Sequence, residues 1–174
     1  MSTNVHAAAR SIAPLPQYRE ILLAVDSSDH ANRGVEDGVA LAKLWGARVT
    51  AAHVYAAKMH DLRFRQMEGG LPERFREERE LERQRDVHDD LITRGLSIIS
   101  DSYLDQADRA CSGAGLRFGR RALEGKNYRQ LVKEANGGGY DLLVLGALGL
   151  GAVAESSLGT VCARVVRRSD IDTL

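Results

Sequence analysis

Apolar residues in this chain fall alternately into short unbroken runs and helically spaced sets. Residues 21–25 read Ile-Leu-Leu-Ala-Val and close on Asp26, Ser27, Ser28 and Asp29. Such a run predicts a strand buried on both faces, as in a parallel sheet. Ala31, Val35, Val39, Ala42 and Leu44 then recur at near-helical spacing, with Ser28 or Asp29 placed to cap the helix. Gly34 and Gly38 lie four apart within it, and each weakens a helix by roughly 1 kcal/mol relative to alanine unless close packing compensates. Gly46 stops the helix, and residues 49–55, Val-Thr-Ala-Ala-His-Val-Tyr, predict a second strand. Strand, helix and strand in that order imply a parallel pair with a right-handed crossover.

The middle of the chain is less regular. Residues 56–72 have mixed polarity with Gly69, Gly70 and Pro72, which reads as a loop holding at most a short helix. Residues 73–90 are dense in both charge signs, as on an exposed helix. Leu91, Ile92, Leu96, Ile98, Ile99, Tyr103, Leu104 and Ala107 then supply an apolar face. A helix over about 72–111 would be roughly 60 Å long, more than a domain of this size spans. Its charged first half is expected to project, to bend near Gly95, or to pack on a partner; a solvated arm with no role is the alternative. Gly113 and Gly115 end it. Residues 116–123 predict a third, less apolar strand, and a helix opens after Gly125 with Tyr128, Leu131, Val132 and Ala135 as its buried face. Residues 142–145, Leu-Leu-Val-Leu, form the fourth strand, and residues 160–168 the last helix. Residues 1–17 read as a disordered leader and 18–174 as the domain.

Alternating strands and helices imply an α/β fold, a doubly wound open parallel sheet whose ligands sit beyond the strand C-termini where strand order reverses. That rule gathers the turns after the first, second and fourth strands. After the fourth come Gly146 and Gly149, nine residues, then Gly159 and Thr160 at a helix start. Glycine lets backbone approach a ligand, and a helix start presents unpaired N–H groups, so this pattern suits an anion such as phosphate. A flexible connection with glycines for turns is the plainer reading.

Composition narrows the partners. The 174 residues carry 24 basic and 24 acidic side chains, which gives no electrostatic case for nucleic acid or anionic membrane. No run approaches the ~20 apolar residues of a membrane span. Cys111 and Cys162 stand in no metal-like spacing and suit free thiols in a reducing, cytoplasmic compartment. The histidines, His6, His30, His53, His60 and His88, form no ligand cluster, and His53 reads as a packed structural residue. No Lys-Ser/Thr follows a glycine loop, so there is no Walker A motif. Gly149, Gly151 and Ala154 loosely match a dinucleotide fingerprint, but too little chain follows for its next helix and strand. Ser156 and Ser157 suit a phosphate contact or a solvent-facing loop.

Taken together, ILLAVDSS, VTAAHVY, the Gly125 segment, YDLLVLGALG and GTVCARVV resemble the universal stress protein family in its nucleotide-binding branch. The glycine spacing matches that family's ATP-binding pattern at each fixed position. The resemblance implies an adenine nucleotide alpha hydrolase-like sandwich on a five-stranded parallel sheet, commonly a homodimer, binding ATP with little turnover. It implies an adenine pocket lined by Ala24 and Val54, with Asp26, beside Ser27, at the nucleoside end. Gly146 and Gly149 would pass beside ribose and phosphates. Gly159, Thr160, Val161 and Cys162 would meet the phosphates through backbone N–H groups, the Thr160 hydroxyl adding a donor. The expected ligand is ATP, with or without Mg2+, and AMP is the alternative; the metal position is unassigned. Ala147 and Leu148 replace a polar pair common in the family, and Leu150, Val153 and Ala154 leave the loop unusually apolar. Asp172 stands where the family has a proline, so the fifth strand, often its dimer seam, is expected to be truncated.

Three functions follow as expectations: a regulatory nucleotide sensor in the stress response, a nucleotide-free dimerisation or scaffold domain of a larger protein, and a slow ATPase. No paired carboxylates or general base stand near the glycine loop, and no catalytic residue is assigned. The charged helix is a candidate docking arm for a partner domain or protein.

Overall fold

In a computed structural model, residues 16–152 and 157–174 are described. Most of the expected leader, with Val153, Ala154 and Ser156, lies outside them. Five strands, β1 (Glu20–Ala24), β2 (Arg48–Tyr55), β3 (Phe118–Glu124), β4 (Leu142–Leu145) and β5 (Asp172–Thr173), form one sheet in the order β3-β2-β1-β4-β5. Each pairing is parallel. The chain steps outward from β1 to β2 and β3, then returns to β4 on β1's other side. Strand order therefore reverses between β1 and β4, as the doubly wound reading expects. β5 has two residues, and the Leu174 N–H donates to the Leu143 carbonyl at 2.9 Å to prolong the ladder.

Helices α1 (Asp29–Trp45) and α3 (Glu78–Gly113) cover one face; α4 (Asn127–Gly137) and α5 (Thr160–Val166) cover the other. The alternation within β1 explains both layers. Ile21, Leu23 and Val25 meet α1 and α3, whereas Leu22 joins Leu131, Ala135 and Val165 beneath α4 and α5. Burying such a leucine contributes about 1.5–3 kcal/mol. The Ser28 hydroxyl accepts from the Ala31 N–H at 3.2 Å and caps α1; Gly46, at φ 68°, ends it. Gly38 is where the Leu23 side chain presses on α1, leaving no room for a Cβ.

Two expectations about the middle segment are corrected. Residues 57–67 are not loop: α2 (Ala57–Met67) is a full helix, followed by two 3-10 turns, Glu68–Gly70 and Glu73–Phe75. The long helix starts at Glu78 rather than near 72 and runs 36 residues with no break at Gly95. α2 folds back along its first half. Phe64 stacks on His88 at 4.2 Å, and Arg85 pairs with Glu68 at 2.6 Å. The α2 signal was weak in sequence because, of its own residues, only Ala57 is buried. No described helix is long and apolar enough to cross a membrane.

Candidate functional site

The C-terminal ends of β1, β2 and β4 open into a cavity of about 670 Å³ at the point of strand reversal. Its walls come from four directions. β1 and β2 contribute Ala24, Asp26, Ala52, His53 and Val54; the segment after β4 contributes Gly146 to Ala152; the start of α5 contributes Gly159, Thr160, Val161 and Cys162. The fourth wall is α3, through Leu96, Ile99 and Tyr103, with Asn127 and Leu131 of α4 beside it.

Nine of the ten residues expected to bind ligand line this cavity: Ala24, Asp26, Val54, Gly146, Gly149, Gly159, Thr160, Val161 and Cys162. Ser27 does not. It takes the left-handed conformation, φ 61°, while the chain turns from β1 into α1. The turn is held by Asp26, whose Oδ1 accepts from the Ser28 N–H at 3.0 Å and the Ser28 hydroxyl at 2.6 Å. Asp26 Oδ2 accepts from the Leu150 N–H at 3.2 Å. This carboxylate thus ties the glycine loop to the end of β1, a role that sequence spacing did not show.

The glycines have packing reasons of their own. A Cβ at Gly146 would stand 2.7 Å from the Ala31 nitrogen, where α1 crosses the end of β4. At Gly149 it would stand 2.6 Å from Asp26 Oδ2, and at Gly159 3.0 Å from the Ala147 carbonyl. The Gly159 N–H donates to that carbonyl at 2.7 Å, so this amide, expected to meet phosphate, already has an acceptor. Thr160, Val161 and Cys162 open α5, where the amides of a helix have no intrahelical acceptor. Burial raises the Cys162 thiol pKa and raises that of Cys111 to about 11, so both thiols are protonated and weakly nucleophilic at neutral pH.

His53 joins the cavity to α3. Its Nδ1 lies 2.6 Å from the Ser100 hydroxyl, and its ring meets Tyr103 edge-on at 5.0 Å. Burial lowers the imidazole pKa from its ordinary 6.5, with Asp26 pulling weakly upward. The folded chain therefore favours neutral His53, and the unfolded chain takes up the proton first as pH falls. Stability is full above the ordinary value and declines as pH drops from there through the folded value. Thermal melts between about pH 7.5 and about pH 5 should show that slope, and His53→Gln should flatten it.

Leu96, Ile99 and Tyr103 were legible as one apolar helical face, but no local signal said that the face closes a cavity. Asn127 and Leu131 entered the same way, carried there by the β3–α4 connection.

The fold and site define a doubly wound α/β domain with a cavity at its switch point. The Universal stress protein family model matches residues 17–174, and the chain belongs to that family. It is 29% identical over 160 residues to the universal stress protein in the QAH/OAS sulfhydrylase 3' region of Thermus aquaticus, covering 90% of this chain and 97% of that one. Universal stress protein UspA from Lactobacillus plantarum has a similar structure, with TM-score 0.69 and 19% identity over 91% of this chain and 97% of that one. A universal stress protein in complex with cAMP matches at TM-score 0.57 and 24% identity, covering 91% and 96% of the two chains. One from Archaeoglobus fulgidus in complex with dAMP matches at 0.57 and 18%, covering 90% and 96%.

Proposed function

We propose that the cavity binds an adenine nucleotide, ATP foremost, and that the domain is a regulatory nucleotide sensor of the stress response with little turnover. The observation that carries the reading is the 670 Å³ cavity at the strand reversal, walled by the family's glycine pattern. Its volume falls within the usual range for small-molecule sites. The base would lie against Ala24 and Val54, and the phosphates toward the amides of Thr160, Val161 and Cys162. Those amides supply aligned donors without cationic side chains. The cAMP and dAMP complexes of similarly folded proteins support an adenine ligand. Among the described residues no three His, Cys, Asp or Glu side chains gather to hold a metal ion, so Mg2+ would enter with the phosphates. Two free thiols accord with a cytoplasmic setting.

One observation favours a second reading, a scaffold domain without nucleotide: the glycine loop satisfies its own contacts through Asp26 and the Ala147 carbonyl. Mass spectrometry of freshly purified, denatured protein, followed by calorimetric titration, separates the two. Released ATP or AMP, or saturable heat, is the expected result. An empty release fraction with no heat at millimolar ATP and AMP would overturn the nucleotide reading.

A further inference from the structure

We propose that the outward face of α3 is a self-complementary surface on which a second copy of this chain docks antiparallel, about a two-fold axis that crosses the exposed stripe at the level of position 92. α3 turns Leu81, Ser100, Leu104, Ala107 and Cys111 inward. On the opposite side Val87, Leu91 and Ile98 stand 62%, 68% and 69% exposed. At 3.6 residues per turn these three fall within an arc of about 40°, a continuous apolar stripe. α2 does not cover it, because α2 packs on the side of Arg85 and His88.

The charges along one flank of the stripe say what covers it. Arg83, Asp90, Arg94 and Asp101 share a second arc of about 40° beside the first. Their signs alternate, and they stand seven, four and seven positions apart. A series that is symmetric in spacing and opposite in sign complements itself when reversed. Two copies of α3 laid antiparallel about position 92 bring Arg83 of each opposite Asp101 of the other, and Asp90 opposite Arg94. A two-fold axis keeps the same flank of both helices on the same side, so all four pairs form together. In that register Val87 lies one residue from Ile98 of the second copy. The two Leu91 side chains are offset by about 3 Å along the axis, within contact. The paired region, 83–101, is about 27 Å long. Within one copy, Asp90 and Arg94 bond at 2.8 Å on an exposed surface, with most of the arginine side chain free to solvent. Exposed pairs of this kind are worth little alone, so exchange across the axis costs little.

Sedimentation equilibrium of the full chain tests the arrangement. The unaltered chain should dimerise reversibly, and Leu91→Glu should raise the dissociation constant at least about tenfold by placing two like charges at the axis. Asp90→Arg and Arg94→Asp should each weaken the dimer, and the double exchange should restore it. Because all three positions are exposed, circular dichroism should show unchanged helicity. A chain that stays monomeric at every concentration overturns the proposal. So does a dimer indifferent to Leu91→Glu, or a double exchange no better than either single change.

Discussion

Gly146→Val should lower the melting temperature by roughly 6–12 °C and remove nucleotide binding with it. Any Cβ at this position would stand 2.7 Å from the Ala31 nitrogen and 2.9 Å from the His30 carbonyl carbon. These are backbone atoms of the first turn of α1, which cannot swing aside as a side chain can. Relief requires α1 to lift from β4, yet Val35 and Ala42 hold it in the core. Overpacking against rigid neighbours costs roughly 1–3 kcal/mol, at the upper end here, and a chain this long loses about 2–4 °C per kcal/mol. The same displacement would move Ala31 and Gly146, both in the cavity wall. Thermal melts and calorimetric titration check the two halves. Gly151→Val in the same loop is the control: among the described residues its Cβ would meet no atom within 4 Å, so its melting temperature should stay near that of the unaltered chain.

Asp26→Ala is the second large expected effect. It removes the acceptor for the Ser28 N–H, the Ser28 hydroxyl and the Leu150 N–H at one stroke. Hydrogen bonds to a charged group contribute about 1.5–3 kcal/mol each, but these are partly exposed and share one carboxylate, so roughly 2 kcal/mol of stability is expected to go. The Ser28 hydroxyl is still able to cap α1, which confines the damage to the loop after β4. Nucleotide affinity should fall at least about tenfold, because the wall built by Leu148, Gly149 and Leu150 loses its tie to β1. Asp26→Asn should recover the Ser28 contacts through its remaining oxygen while presenting an N–H2 group to the Leu150 N–H. Denaturant melts should therefore place Asn between Asp and Ala in stability.

How much of this was legible beforehand depended on what each residue touches. β1, β2 and β4 are buried on both faces, so their unbroken apolar runs stood out. Ser28, Gly46 and the glycine series marked ends and turns through purely local chemistry. The middle segment was opaque for the opposite reason. α2 buries little, and Phe64 finds its stacking partner only at His88, far along the chain, as the next turn does at Arg85 through Glu68. Sequence placed nine of its ten candidates around one cavity but did not show that their glycines also pack against neighbouring chain. Gly146, Gly149 and Gly159 make room first for α1, for Asp26 and for the Ala147 carbonyl. The series therefore marks a tightly folded loop at the cavity wall. The α3 wall could not be foreseen at all, because helical periodicity names a buried face without naming the surface it meets.

α3 is anchored at Leu104, Ala107 and Cys111, borders the cavity at Leu96, Ile99 and Tyr103, and continues for a further five turns to Glu78. One unbroken helix therefore carries both a wall of the cavity and, nearer its start, the exposed Val87 and Leu91.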